Sequence, residues 1–334
     1  MLVSWLLTTS SSLLLYLTGF FSVFTPLPIA SLWLRRGWWA GALAFVVALS
    51  LLFGLYHVAG PSTYPQAAHV FWSLPLMNLA PNFTLPQVTF LGLVQFGYYG
   101  VIGLLLAGVH QTKKLEQGVG LVVLGVTLFV GLVFFLFHQL FHESLLFKVR
   151  ETFQAFFNQW VQSNDLQGKQ EWEGLITNMP AFLDSLFLLM PAFFINGTII
   201  TAALNIMILK RWLLDRRCFC SWGEFSQWKL PETWIWSIIS IGAGYFLNFY
   251  FFHHFWVNWI LLNLLLIQIL IYFFQGLAVV AFFWRQSWSP LARLAAYFVF
   301  FILFQLVSVV IVLTGIFNFW FDFRKLKRNS TPAT

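Results

Sequence analysis

Residues 37–112 form a run of 76 positions without a single Asp, Glu, Lys or Arg, and a second such run of 52 covers residues 233–284. A water-facing surface needs charge every few residues, whereas a helix needs about 20 apolar residues to cross roughly 30 Å of hydrocarbon. A soluble globular fold is therefore excluded. With 9% charged residues and a mean hydropathy of +0.80, nearly all of residues 1–334 reads as a single membrane domain.

Eight apolar spans are expected: 2–24, 38–57, 87–109, 119–140, 181–209, 233–252, 256–284 and 291–321. They are helices, because a lipid-exposed backbone has to satisfy its own hydrogen bonds and these runs lack the ten-residue alternation of a membrane barrel. The expected fold class is an all-α polytopic membrane protein of about eight transmembrane helices plus an outer amphipathic helix. The first run lacks the basic segment that opens a secretory signal peptide, so it is expected to stay as a crossing.

Loop charges set the expected sidedness. Arg35 with Arg36, Lys113 with Lys114, the basic loop 210–232 and Arg285 with Arg293 fall on alternate loops, which the positive-inside bias makes cytoplasmic, with the N-terminus outside. Counting Lys and Arg over eight crossings puts 11 inside and 7 outside, because Arg324, Lys325, Lys327 and Arg328 end up outside. Treating 233–252 as a re-entrant hairpin changes the count to 13 and 5. The net charge of +7 is spread over these clusters, so it reads as a topology signal and nucleic acid is not an expected partner. Cys218 and Cys220 are too close for an ordinary disulfide and too few for a structural zinc site.

Within the outer loop 141–180, Leu146, Val149, Phe153, Phe156, Phe157 and Trp160 recur at helical spacing opposite Glu151, Gln154, Asn158 and Gln159, as in a helix lying in the interface plane. It reads as an interfacial anchor or as a lid. Ala40, Ala44 and Ala48 make a small-residue ridge on the second span, and Gly97, Gly100 and Gly103 thin the third. Such ridges serve close packing within the chain or docking of another membrane subunit.

The polar residues within spans are the candidates for function. Asp184, Thr198, Thr201 and Asn205 share one face of the fifth span, which Pro191 interrupts, and Gln268 and Gln275 share a face of the seventh that could form the opposite wall of a solute cavity. His138 and His142 lie one helical turn apart, and the expected topology puts them on the outer side with His253 and His254, an arrangement open to a metal or haem. Interfacial histidines are the simpler reading. No phosphate loop or nucleophile elbow is present, so an enzyme is not expected and no cofactor is implied.

Three stretches carry a family resemblance: residues 225–236, from Phe225-Ser-Gln-Trp-Lys-Leu-Pro231 to Thr233-Trp-Ile-Trp236; residues 275–280, Gln-Gly-Leu-Ala-Val-Val; and residues 315–325, Gly-Ile-Phe-Asn-Phe-Trp-Phe-Asp-Phe-Arg-Lys. Their order and spacing resemble the YybS-like bacterial inner-membrane proteins, whose function is unassigned. The resemblance implies a multi-span protein of the bacterial inner membrane, similar to the substrate-binding subunits of energy-coupling-factor transporters.

The expected function is thus binding or transport of an unidentified small solute by a membrane subunit without its own ATPase. The alternatives are a non-enzymatic scaffold or assembly factor that binds other membrane proteins, and an outer-face metal or haem protein. Asp322 and Arg324 follow an aromatic run suited to the headgroup zone, where they read as an anchor or as a latch against a basic loop.

Overall fold

The computed structural model describes residues 2–70, 83–112, 114–164, 170–213, 223–287, 298 and 302–324. Arg216, Arg217, Cys218, Cys220, Arg293, Lys325, Lys327 and Arg328 lie outside these. All regular structure among the described residues is helical. Among the described residues, seven helices are long and apolar enough to cross a membrane: Trp38–Val58, Pro86–Gly108, Leu115–Phe141, Ile176–Arg211, Trp234–Phe252, Phe255–Trp284 and Phe304–Phe321. The protein is an all-α polytopic membrane protein. Its chain divides into two compact units, Met1–Phe187 with Gly197–Ser221, and Leu188–Asn196 with Trp222–Thr334.

The first unit departs from expectation at its start. In place of one crossing over 2–24, α1 (Leu2–Leu17) is followed by a break over residues 18–25, holding a single 3-10 turn at Ser22–Phe24, and then by α2 (Pro26–Arg36). Ser12 donates to the Thr25 carbonyl at 3.2 Å, and Trp5 packs with Leu32, so α2 runs back along α1. The chain start and Arg35–Arg36 consequently share one end of the unit. That places the N-terminal end with these arginines and not opposite them, because residues 2–36 form a hairpin. Hydropathy alone reads the same residues as one passage.

Gly37, at φ +92°, turns the chain sharply into α3 (Trp38–Val70). The alanine ridge then packs inside the unit: Ala40 and Ala44 meet Trp5 and Leu32, and Ala48 joins Tyr16, Leu52, Tyr56 and Phe96. The ridge is thus buried by α1 and α2, which leaves it no free face for a partner subunit. The glycines of α4 (Leu85–Gly108) do similar work, Gly97 facing Phe129, Gly100 facing Phe45 and Gly103 facing Pro26.

Beyond α5 (Leu115–Phe141) comes the amphipathic helix α6 (Leu145–Ser163), as its periodicity predicts. Thr152 and Val161 face inward, while Leu146, Phe153 and Phe156 stay exposed, as befits a helix bedded in the headgroup region. Polar ties hold it in place. Gln87 donates to Glu143 at 2.9 Å, Lys148 pairs with Glu143 at 3.2 Å, and Arg150 pairs with Asp184 on α7 (Gln170–Ile208) at 2.5 Å.

In the second unit, α8 (Trp234–Leu247) runs antiparallel to α9 (Phe255–Ser287), as Gln268 donating to Ser237 and Gly244 facing Leu261 show. Residues 188–196 of α7 join this unit through Asn263, whose side chain accepts from the Ala192 amide at 2.8 Å and donates to the Leu188 carbonyl at 2.9 Å. Pro191 supplies the reason. A proline in a membrane helix disturbs the backbone ladder, and a neighbouring side chain has to serve the groups it frees.

The last helix, α10 (Phe304–Phe321), covers the later part of the expected span 291–321, whose beginning lies largely outside the described residues, and it runs in an unexpected direction. A Cβ on Gly276 would overlap the Ile311 carbonyl oxygen and one on Gly315 the Tyr272 carbonyl oxygen, so α9 and α10 touch backbone to backbone. From there to Phe323, the neighbours on α9 advance to Val279, Val280, Phe283 and Trp284. The two helices are therefore parallel. Two consecutive crossings would be antiparallel, and this difference brings Arg324 to the end of the unit where α8 begins.

Candidate functional site

Apart from the Asn263 ties, two clusters of buried polar groups stand out among the described residues, one in each unit. In the first, Thr198, Thr201 and Asn205 of α7 are buried, Asn205 against the break between α1 and α2. A broken helix exposes carbonyls that no intrahelical donor reaches, and Asn205 Nδ2 donates to one of them, Val23 O, at 2.8 Å, and to Thr201 O at 2.7 Å. The hydroxyls of Tyr98 and Thr198 are 3.0 Å apart, Ser22 donates to Tyr99 at 3.3 Å, and Tyr16 donates to the Gly92 carbonyl at 2.9 Å. Two buried atoms have no hydrogen-bond partner, Thr25 Oγ1 and Asn205 Oδ1. The cluster is neutral and almost closed.

Asp184 stands apart from it. It lies about 21 Å before Thr198 along α7, it is exposed, and it pairs with Arg150 of the amphipathic helix. Gln268 and Gln275 face elements of the second unit, Gln268 donating to Ser237 and Gln275 accepting from the Leu230 amide at 3.1 Å.

The second cluster lies at the end of α10. Arg324 is only 3% exposed, and its Nη1 donates to the carbonyls of Ser226 and Trp228 at 2.8 and 3.0 Å. Lys229 approaches Asp322 to 3.9 Å. Arg324 Nε and Nη2, Trp228 Nε1 and both side-chain polar atoms of the fully buried Asn318 have no hydrogen-bond partner. Burial pushes the Arg324 guanidinium below the usual arginine range, and the Asp322 carboxylate opposes that shift. Gln275 and Arg324 both anchor the 225–231 segment, and Gly276 and Gly315 meet one layer away. The three sequence stretches that carry the family resemblance therefore converge here.

His142 and His253 are left-handed C-cap residues, each at φ 54°. The expected alignment of His138 with His142 assumes one continuous helix; a left-handed residue at the second position turns its side chain off that stripe. His253 and His254 form the turn between α8 and α9, closed by the Asn248 side chain, which donates to His254 O and accepts from His254 N. All four histidines are exposed. Among the described residues no group of three or more His, Cys, Asp or Glu side chains is placed to hold a metal ion.

Composition does not single out Tyr98, Tyr99, Thr25, Trp228, Lys229, Asn263 or Asn318. The usable signals are indirect: Pro191 implies a partner such as Asn263, and the Gly19-to-Pro28 stretch implies a broken helix.

The family described as "Predicted membrane protein (DUF2232)" matches residues 70–318, well over half of the chain. The chain belongs to this family. The matched stretch of this DUF2232 member contains Tyr98, Thr198, Asn205, Lys229, Gln275 and Gly315, and it ends at Asn318, before Asp322 and Arg324. No curated protein and no solved structure matches the chain.

Proposed function

We propose that this protein is a bacterial inner-membrane subunit that binds a small polar solute for transport and has no ATPase of its own. The observation that carries the reading is the break at residues 18–25, where Ser22 meets Tyr99 and Val23 meets Asn205, with the Tyr98 and Thr198 hydroxyls joined on the same two helices. Irregular backbone at membrane depth is tolerated only where it is buried in protein or lines a cavity, and discontinuous helices are a recurrent means of building solute sites. Thr25 Oγ1 and Asn205 Oδ1, both buried and without partners, are the groups a solute would engage. The resemblance of residues 225–236, 275–280 and 315–325 to the YybS-like proteins supports the same reading, since it implies a likeness to the substrate-binding subunits of energy-coupling-factor transporters.

The test is thermal melting of the purified protein against a panel of metabolites and vitamins. At least one compound is expected to raise the melting temperature, with the shift lost in Asn205→Ala and reduced in Thr198→Val. Asp184→Ala is expected to weaken it less, by loosening α6. A panel without any stabilising compound would count against solute binding.

A scaffold role is the second reading, favoured by α8, where Ile235 is the one buried residue while Trp236, Phe246 and Leu247 are exposed. Stable co-purification of another membrane protein, lost on Trp236→Ala, would favour it over lipid contact alone.

A further inference from the structure

Two open apolar grooves meet at Thr314 and Phe323. One, of about 450 Å³, is completed by Val310, Leu313, Phe317 and Phe321; the other, of about 340 Å³, by Val279, Val280, Phe283 and Trp284. The residue after Phe323 is the buried Arg324, with Nε and Nη2 free, beside the unpaired Trp228 Nε1. A buried cation with unused donors calls for a missing acceptor.

Charge and shape identify that acceptor. Arg324 and Lys229 face one half-buried carboxylate, Asp322, which among the described residues leaves two cations against one anion. The other carboxylates of the segment, Glu224 and Glu232, are both exposed, Glu224 lying 3.5 Å from the Ser226 hydroxyl. A guanidinium, an ammonium and an indole N–H together suit a phosphate oxyanion. Apart from Thr314 the two grooves are lined by apolar side chains, which suits the paired chains of a phospholipid and gives free phosphate little to hold. A second copy of this chain would instead bring like charge against like, since three further basic residues follow Arg324 in sequence.

We propose that the end of α10 is a binding site for an anionic phospholipid, its phosphate held by Arg324, Lys229 and Trp228 and its two acyl chains lying in the grooves on either side of Phe323. Lys229 is the more accessible of the two cations, with a side chain 20% exposed, so the headgroup enters on its side. The site is independent of the solute reading, and neither depends on the other.

The test uses the full chain, delipidated in detergent, with native mass spectrometry and thermal melting in the presence of dioleoylphosphatidylglycerol, dioleoylphosphatidylcholine or inorganic phosphate. Phosphatidylglycerol is expected to be retained about tenfold better than phosphatidylcholine and to raise the melting temperature, while inorganic phosphate leaves it unchanged. Arg324→Gln should erase the preference. Thr314→Trp, which fills both grooves and leaves the cations in place, should lower phosphatidylglycerol retention, and together with Lys229→Gln it carries the test should Arg324→Gln not fold.

Equal retention of the two lipids would overturn the proposal, as would an Arg324→Gln protein that folds and keeps the preference. A shift from inorganic phosphate as large as that from lipid would make this an anion site without a lipid. A dimer that retains no lipid and dissociates on Thr314→Trp would put a second copy in the grooves.

Discussion

The two units bury polar groups in opposite ways. In the first, the groups are neutral: Asn205 draws on a carbonyl released by a helix break, Thr198 and Tyr98 bond each other, and Ser22 bonds Tyr99, so these donors find acceptors within the protein. In the second, Arg324, Lys229 and Asp322 are ionic, and among the described residues two cations face one carboxylate. The contrast shows that membrane burial tolerates a neutral network as part of the packing. A charged one has to be completed by something else, because desolvating an unpaired charge costs far more than desolvating a hydroxyl or amide.

Substitutions that separate backbone contact, charge and hydrogen bonding sharpen this contrast. Gly315→Val should have the largest effect, lowering stability in detergent by about 3 kcal/mol or more, since its side chain would overlap the Tyr272 carbonyl and force α9 and α10 apart. A denaturant titration followed by circular dichroism measures it, and unchanged stability would remove the close crossing from the account.

Asp322→Asn comes next. Asparagine tolerates the left-handed backbone at φ 38°, so the change tests charge alone, and loss of the carboxylate beside two cations should cost about 2 kcal/mol. Asn205→Ala, in the neutral cluster, should cost about 1 kcal/mol in the absence of solute. Should the order of these two reverse in parallel melting experiments, the ionic cluster would not be the more demanding one.

The smallest effect is expected where polar groups meet water. Lys148 and then Gln87 hold the Glu143 carboxyl below its usual range. A lowered folded-state value means that Glu143 stabilises above the unfolded carboxylate range, about 4.3, and that this contribution fades as pH falls through the folded value. The difference in melting temperature between wild type and Glu143→Gln should therefore be present at neutral pH and shrink on acidification to about pH 3. A difference independent of pH would mean that the ion pair with Lys148 contributes nothing.

Sidedness shows where sequence reasoning loses its hold. Eight passages in series send Arg324 outside and give 11 basic residues inside against 7 outside. Its bonds to Ser226 and Trp228 return it to the face of the basic loop, so that one residue alone changes the count to 12 and 6. The candidate site is divided in the same manner. The stripe of Thr198, Thr201 and Asn205 was legible from helical periodicity, whereas its counterparts Val23 and Tyr98 lie far away in sequence, and only the Gly19-to-Pro28 stretch around Val23 carries an indirect signal.

The sequence by itself determined that this protein lives in a membrane, that it is helical, where most of its crossings lie and that α6 is amphipathic. Those properties depend on what each residue is and on its near neighbours, and hydropathy and periodicity report them directly. Only the tertiary structure decided that residues 2–36 fold back as a hairpin, that the alanine ridge is used up internally, and that α10 runs parallel to α9 and carries Arg324 to Trp228. Those outcomes depend on which helices touch, and in a bilayer, where every apolar face is equally at ease in lipid, that choice rests on close contacts such as Gly276 against Ile311.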